Sequence, residues 1–188
     1  MKSATETEVK IRLSNRAAVL EAFQRAGLTV SVPRQFESNT LYDTPDDSLR
    51  RREMILRLRQ LGDKAVITWK GRGESGPYKS RPELETSIGS IETIRQILAQ
   101  LGYQPAFRYE KYRTEFAAED GAGVVTLDET PIGDFLELEG PGEWIDRTAS
   151  QLGFGRKDYI LESYARLYLA DCERRRVEPA HMVFASHA

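Results

Sequence analysis

Cysteine and histidine are nearly missing: Cys172, His181 and His187 are the only three in 188 residues. A lone cysteine excludes an internal disulfide and fits a reducing compartment. Both histidines fall in the last eight positions, beyond the final helical pattern and Pro179, where a flexible tail over 176–188 is expected. A histidine acid/base, a His/Cys zinc site and a Ser-His-Asp arrangement are thereby removed from the core. No apolar run approaches the roughly 20 residues that span a bilayer, and the first residues lack the apolar stretch of a secretory signal. Neither sign of charge prevails, with 27 Lys and Arg against 29 Asp and Glu, so no nucleic-acid-binding field is implied. The expectation is one domain over 1–175 in a cytoplasmic protein, with no nucleic-acid or membrane partner and with monomer and homodimer both open. Chemistry is left to carboxylates, cations and hard metal ions.

Charge is abundant, at 30% of residues, and it is patterned. Glu6, Glu8, Lys10 and Arg12 alternate with Thr7, Val9 and Ile11, which on a strand puts the charges on one face and the apolar residues on the other. The same parity recurs in Arg57 and Arg59, in Lys79, Arg81, Glu83 and Glu85, in Lys111, Arg113 and Glu115, and in Glu137 and Glu139. Strands are expected at 4–13, 30–43, 54–60, 64–70, 79–88, 105–117, 123–130 and 133–140, joined as antiparallel hairpins with a turn over 119–123. Helices are expected at 16–26, from Ser90 to 101, from 142, and over 159–174. An open sheet with a solvated face would explain the alternation. A closed barrel with a wet, charged interior explains better why paired acids and paired bases recur on one parity of successive strands, because buried unpaired charge is costly. Gly71 to Pro77 is a near miss for a phosphate loop, since Pro77 replaces the lysine and no helix follows; it is expected to be a flexible hairpin loop.

Eight short motifs in order carry a resemblance: Glu6, Glu8 and Lys10; Leu41-Tyr42-Asp43-Thr44-Pro45; Leu56-Arg57-Leu58-Arg59; Thr68-Trp69-Lys70; Arg81-Pro82-Glu83-Leu84-Glu85; Glu110-Lys111-Tyr112-Arg113; Leu127-Asp128; and Leu136-Glu137-Leu138-Glu139. Together they resemble the CYTH family, the triphosphate tunnel metalloenzymes, from Glu6 to about Tyr164. The resemblance implies an α+β fold with an eight-stranded antiparallel β-barrel and helices packed outside. It also implies a small-molecule triphosphate substrate and Mg²⁺ or Mn²⁺. By position in the motifs, Glu6, Glu8 and Glu139 are implied metal ligands, with Glu137 and Asp128 beside them. Lys10, Arg57, Arg59, Lys70, Arg81, Lys111 and Arg113 are implied to bind phosphate. Glu83, Glu85 and Lys70 are the catalytic candidates. Such a set suits the chemistry, since Mg²⁺ takes oxygen ligands and guanidinium forks match phosphate.

Smaller assignments follow from parity. Arg12 and Lys79 are expected at a tunnel mouth, Glu115 in solvent, Trp69 in outer packing, and Tyr42 and Asp43 bracing the wall. Three activities fit the resemblance: hydrolysis of inorganic, nucleoside or thiamine triphosphate; adenylate cyclase chemistry that makes cyclic AMP and pyrophosphate from ATP; and binding of a polyphosphate or nucleotide without turnover.

Overall fold

A computed structural model describes residues 4–118 and 121–185; the expected turn over 119–123 and His187 lie partly or wholly outside them. Eight strands form: β1 (Ala4–Arg12), β2 (Thr29–Asp43), β3 (Ile55–Leu61), β4 (Lys64–Lys70), β5 (Lys79–Ile88), β6 (Gln104–Ala117), β7 (Val124–Thr130) and β8 (Gly133–Glu139). They close into a barrel in the order β1-β5-β4-β3-β2-β6-β7-β8, every pair antiparallel. Closure leaves the charged parity no open face: it must turn inward, while the apolar parity lies outside beneath helices.

The helices are α1 (Arg16–Arg25), α2 (Ser48–Arg51), α3 (Ile91–Gln100), α4 (Gly142–Gln151) and α5 (Tyr164–Arg175), with a 3₁₀ turn at Arg156–Asp158. The Asn15 side chain caps α1 by accepting from the Ala18 N–H, and Ser90 caps α3 by accepting from Thr93, each satisfying a donor the helix leaves unpaired. The largest core lies outside the barrel, where Val9, Ile11, Val125, Leu127, Leu136 and Leu138 pack under Phe23 of α1 and under Trp144, Ile145 and Ala149 of α4. A second core, around Tyr42, Leu58 and Leu98, seats α3.

Two local expectations need correction. The stretch 159–163 is not helical. Ser163 caps α5 by accepting from the Arg166 N–H, and Ile160 exchanges backbone hydrogen bonds with Lys10 of β1 at 3.0 and 2.8 Å, so a partner distant in sequence overrides the helical spacing. The short helix α2 follows β2 because the Asp43 carboxylate accepts from the N–H groups of Thr44, Leu49 and Arg50 at 2.8, 2.9 and 2.9 Å; Asp43 braces the wall in this way. The described part of the expected flexible tail is docked. Met182 is fully buried, donates to Arg108 O at 3.0 Å and accepts from Glu110 N at 2.9 Å, extending the free side of β6 where β7 does not reach.

Candidate active site in the barrel interior

A cavity of about 810 Å³ occupies the barrel, and seven carboxylates and seven cations are among its lining. Strand register sets their neighbours: Glu8 stands opposite Glu139, Lys10 opposite Glu137, Lys70 opposite Glu83, and Thr68 lies between Arg57 and Glu85. Tyr109, Ile132, Phe135, Tyr164 and Met182 pack together as an apolar cluster, and two of them, Tyr109 and Tyr164, also line the cavity. Tyr164, at the start of α5, lies against the ammonium groups of Lys10 and Lys111, each 5.3 Å from its ring centre.

The cations fall into two groups. Five are held closely by carboxylates. Lys10 lies 3.1 Å from Glu8 and 3.0 Å from Glu137; Lys70 lies 2.6 Å from Glu6 and 3.0 Å from Glu83; Lys79 pairs with Glu8; Lys111 lies 2.8 Å from Asp128; Arg113 bonds Asp128 at 2.6 and 2.7 Å and also Glu137. Arg57 and Arg59 differ. Their carboxylate distances are long, 3.5 Å to Glu85 and 3.9 Å to Glu83 for Arg57 and 3.7 Å to Glu37 for Arg59. Their closest side-chain partners are neutral, Thr68 at 3.1 Å and Asn39 at 3.2 Å. Charge held by neutral partners stays available to an anion.

The acids divide likewise. Burial opposes charge on Glu8, but Lys10 and Lys79 outweigh it and hold the carboxyl below its usual range. Glu137 is held well below the usual carboxylate range in the same way, by Lys10 and Arg113 against burial. Glu6 goes the other way: burial, and then the charge on Glu8, push it up to about 7. Glu139 is raised by burial and by Glu8, and among the described residues it makes no ion pair. Lys79 is depressed to about 8 by burial and by Lys10. The cavity therefore contains a corner with more carboxylate than cation, at Glu6 and Glu139, and a wall with more cation than carboxylate, at Arg57 and Arg59.

Residues 4–164 match the family model described as the CYTH domain. The chain belongs to the CYTH family. A proposed adenylate cyclase of Methanocaldococcus jannaschii is 28% identical over 165 residues, covering 88% of each chain. Among solved structures, a proposed adenylate cyclase from Vibrio parahaemolyticus aligns with a TM-score of 0.78 at 23% identity, over 88% of this chain and 98% of the other. A proposed adenylyl cyclase from Hippeastrum, described as revealing a dominant triphosphatase activity, aligns with a TM-score of 0.63 at 16% identity, over 93% and 97%.

In this CYTH protein, Glu6, Glu8, Lys10, Arg57, Arg59, Lys70, Glu83, Glu85, Lys111, Arg113, Glu137 and Glu139 all reach the cavity. Two expected site residues do not. Asp128 is fully buried in the wall, and its oxygens are taken by Lys111, Arg113 and the Tyr164 hydroxyl at 2.6 Å, so it holds cations in place and has no face turned to a metal. Arg81 stands opposite Glu6 in register, buried, with its Nε unpartnered. Arg12 lies outside the cavity, donating to Ile132 O at 2.8 Å over the Phe135 ring. Lys79 and Glu115, expected at the mouth and in solvent, both line the interior. Sequence reasoning passed over Asn39, Thr68 and Tyr109, whose neutral side chains carry no charge signal; their inward parity on β2, β4 and β6 was the clue available.

Proposed function

We propose that this protein hydrolyses a small-molecule triphosphate inside the barrel with the help of Mg²⁺ or Mn²⁺. The observation that carries the reading is the separation of excess positive charge at Arg57 and Arg59 from excess negative charge at Glu6 and Glu139 within one barrel cavity. A polyanion needs the first, and a hard cation needs the second. Phosphate oxygens are assigned to Lys10, Arg57, Arg59, Lys70, Lys111 and Arg113, and Arg81 adds positive charge from the wall without touching them. Glu85 is positioned by Thr68 at 2.9 Å and, with Glu83 and Lys70, is assigned to orient the attacking water and take its proton.

The donor set fits a hard metal ion. Glu6, Glu8 and Glu139 supply only oxygen ligands, and Glu139 faces Glu8 with no ion pair of its own, a juxtaposition that a cation would relieve. Among the described residues no three such groups are already gathered around one point, because the ammonium groups of Lys70 and Lys79 hold Glu6 and Glu8. A metal ion bound by these three residues would supply positive charge against phosphate oxygens.

Proton and metal compete for Glu6, and the competition has a pH window. A carboxyl whose folded value, about 7, exceeds its unfolded value of about 4.3 favours the folded state while protonated. That contribution is present in acid and lost as pH rises through about 7. In EDTA, wild-type melting temperature should therefore fall relative to Glu6→Gln between pH 5 and pH 8. The upward shift on adding Mg²⁺ should grow over the same interval. Differential scanning fluorimetry at several pH values measures both, and an Mg²⁺ shift equal at pH 5.5 and pH 8 contradicts the assignment of Glu6.

A second reading is adenylate cyclase chemistry, favoured by the name given to the Methanocaldococcus jannaschii relative; the activity described for the Hippeastrum protein favours hydrolysis. The two differ in which phosphorus meets a nucleophile in line. Purified protein with Mg²⁺ or Mn²⁺ is incubated separately with inorganic triphosphate, ATP and thiamine triphosphate, and products are resolved by anion exchange. Orthophosphate is expected, fastest from inorganic triphosphate. Equal amounts of cyclic AMP and pyrophosphate from ATP would establish the cyclase; tight binding with no product would make the protein a binding module.

A further inference from the structure

Two tyrosines line the cavity, and their phenol groups are disposed differently. Tyr164 spends its proton within the protein, donating to Asp128 Oδ2 at 2.6 Å. The Tyr109 oxygen instead lies 3.4 Å from Arg57 Nη1. A guanidinium donates and never accepts, so the Tyr109 oxygen is the acceptor and its own proton must point elsewhere. Among the described residues, no acceptor stands within hydrogen-bond distance of it.

The phenol is also held in place. Its ring stacks on Phe107 with centres 6.1 Å apart and leans on Tyr164 at 6.1 Å. Its backbone neighbours, Arg108 and Glu110, are hydrogen-bonded to Met182 in the docked C-terminal segment. Tyr109 is 8% exposed, and its hydroxyl faces the cavity beside the two cations without close carboxylates. Burial opposes its ionisation, yet Arg57, Lys111 and Arg59 more than offset this and leave the phenol more acidic than an ordinary tyrosine. A more acidic hydroxyl is a stronger hydrogen-bond donor to an anion.

We propose that Tyr109 is a substrate-contact residue, donating its phenol proton to a phosphate oxygen that Arg57 also holds; this rests on the triphosphate reading of the cavity. A neutral donor among cations adds directional binding without adding charge to a cavity whose acids and bases already balance in number.

The test is a double-mutant cycle on binding of inorganic triphosphate, measured by titration calorimetry with and without Mg²⁺, for wild type, Tyr109→Phe, Arg57→Ala and the double variant. A hydrogen bond to a charged group predicts that Tyr109→Phe weakens binding about 10- to 100-fold. Its melting temperature should fall little, because the only internal hydrogen bond lost is the long 3.4 Å contact from Arg57. The substitution should still weaken binding in the Arg57→Ala background. Unchanged affinity in Tyr109→Phe overturns the proposal. So does an effect that vanishes once Arg57 is alanine, which would make Tyr109 a prop for that guanidinium. If wild type binds no triphosphate in either condition, the triphosphate reading itself fails, and this assignment falls with it.

Discussion

Asp128→Ala is expected to cost about 3–5 kcal/mol of folding stability, the largest loss from any single side chain in the barrel wall. Asp128 is fully buried and receives Lys111 at 2.8 Å, Arg113 at 2.6 and 2.7 Å and the Tyr164 hydroxyl at 2.6 Å. Removing the carboxylate leaves two cations and a phenol in the wall without their shared acceptor, and a buried charge that has lost its partner costs far more than the pair contributed. Tyr164 also anchors the start of α5 beside the cavity, so that helix should loosen as well. Urea unfolding with tyrosine and tryptophan fluorescence measures the loss. A change below about 1 kcal/mol, the value of an exposed ion pair, would show that water replaces the carboxylate without penalty and that Asp128 is not the anchor described.

The second large effect falls on activity. Glu139→Gln keeps side-chain size and removes a carboxylate that we assign to the metal from the acid-rich corner, and turnover should drop by about 10²–10³-fold, the size of effect expected when one preorganised electrostatic contact is lost. Stability should move the opposite way. Glu139 makes no ion pair among the described residues and faces Glu8 across the β1–β8 seam, so neutralising it relieves repulsion, and melting temperature should hold or rise. Glu8→Gln provides the contrast: Glu8 pairs with both Lys10 and Lys79, and its loss should lower both turnover and melting temperature. Steady-state kinetics with saturating Mg²⁺ and thermal unfolding on the same samples read out the pair. Near-native turnover in Glu139→Gln removes that residue from the metal site.

The charged face was legible in the sequence because strand parity leaves a mark at every second residue. Glu6, Glu8 and Lys10, or Arg57 and Arg59, announce a common side before any partner is known. What parity does not record is which charges are spent on each other. Asp128 has the spacing of a ligand, and only the convergence of Lys111, Arg113 and Tyr164 from β6 and α5 reveals it as an internal counter-ion. The same limit applies to segments with distant partners. Residues 159–163 carry apolar spacing that suits a helix, yet the Ile160 backbone is claimed by Lys10. Met182 follows Pro179 in a stretch that looks like a frayed end, and β6 has a free edge waiting for it. Local spacing names a face; only assembly names the neighbour.

The position of β1 between β5 and β8 in the ring has a consequence for synthesis. The barrel's first strand cannot complete its pairing until its last strand, which ends at Glu139, has been made. Pairings between such distant segments are slow to form, because the intervening chain must first be ordered. Glu8 therefore meets Glu139 only at the final seam, and the acidic corner comes into being in the same event that seals the cylinder. A nascent or partly unfolded chain carries the separate carboxylates but not their confrontation.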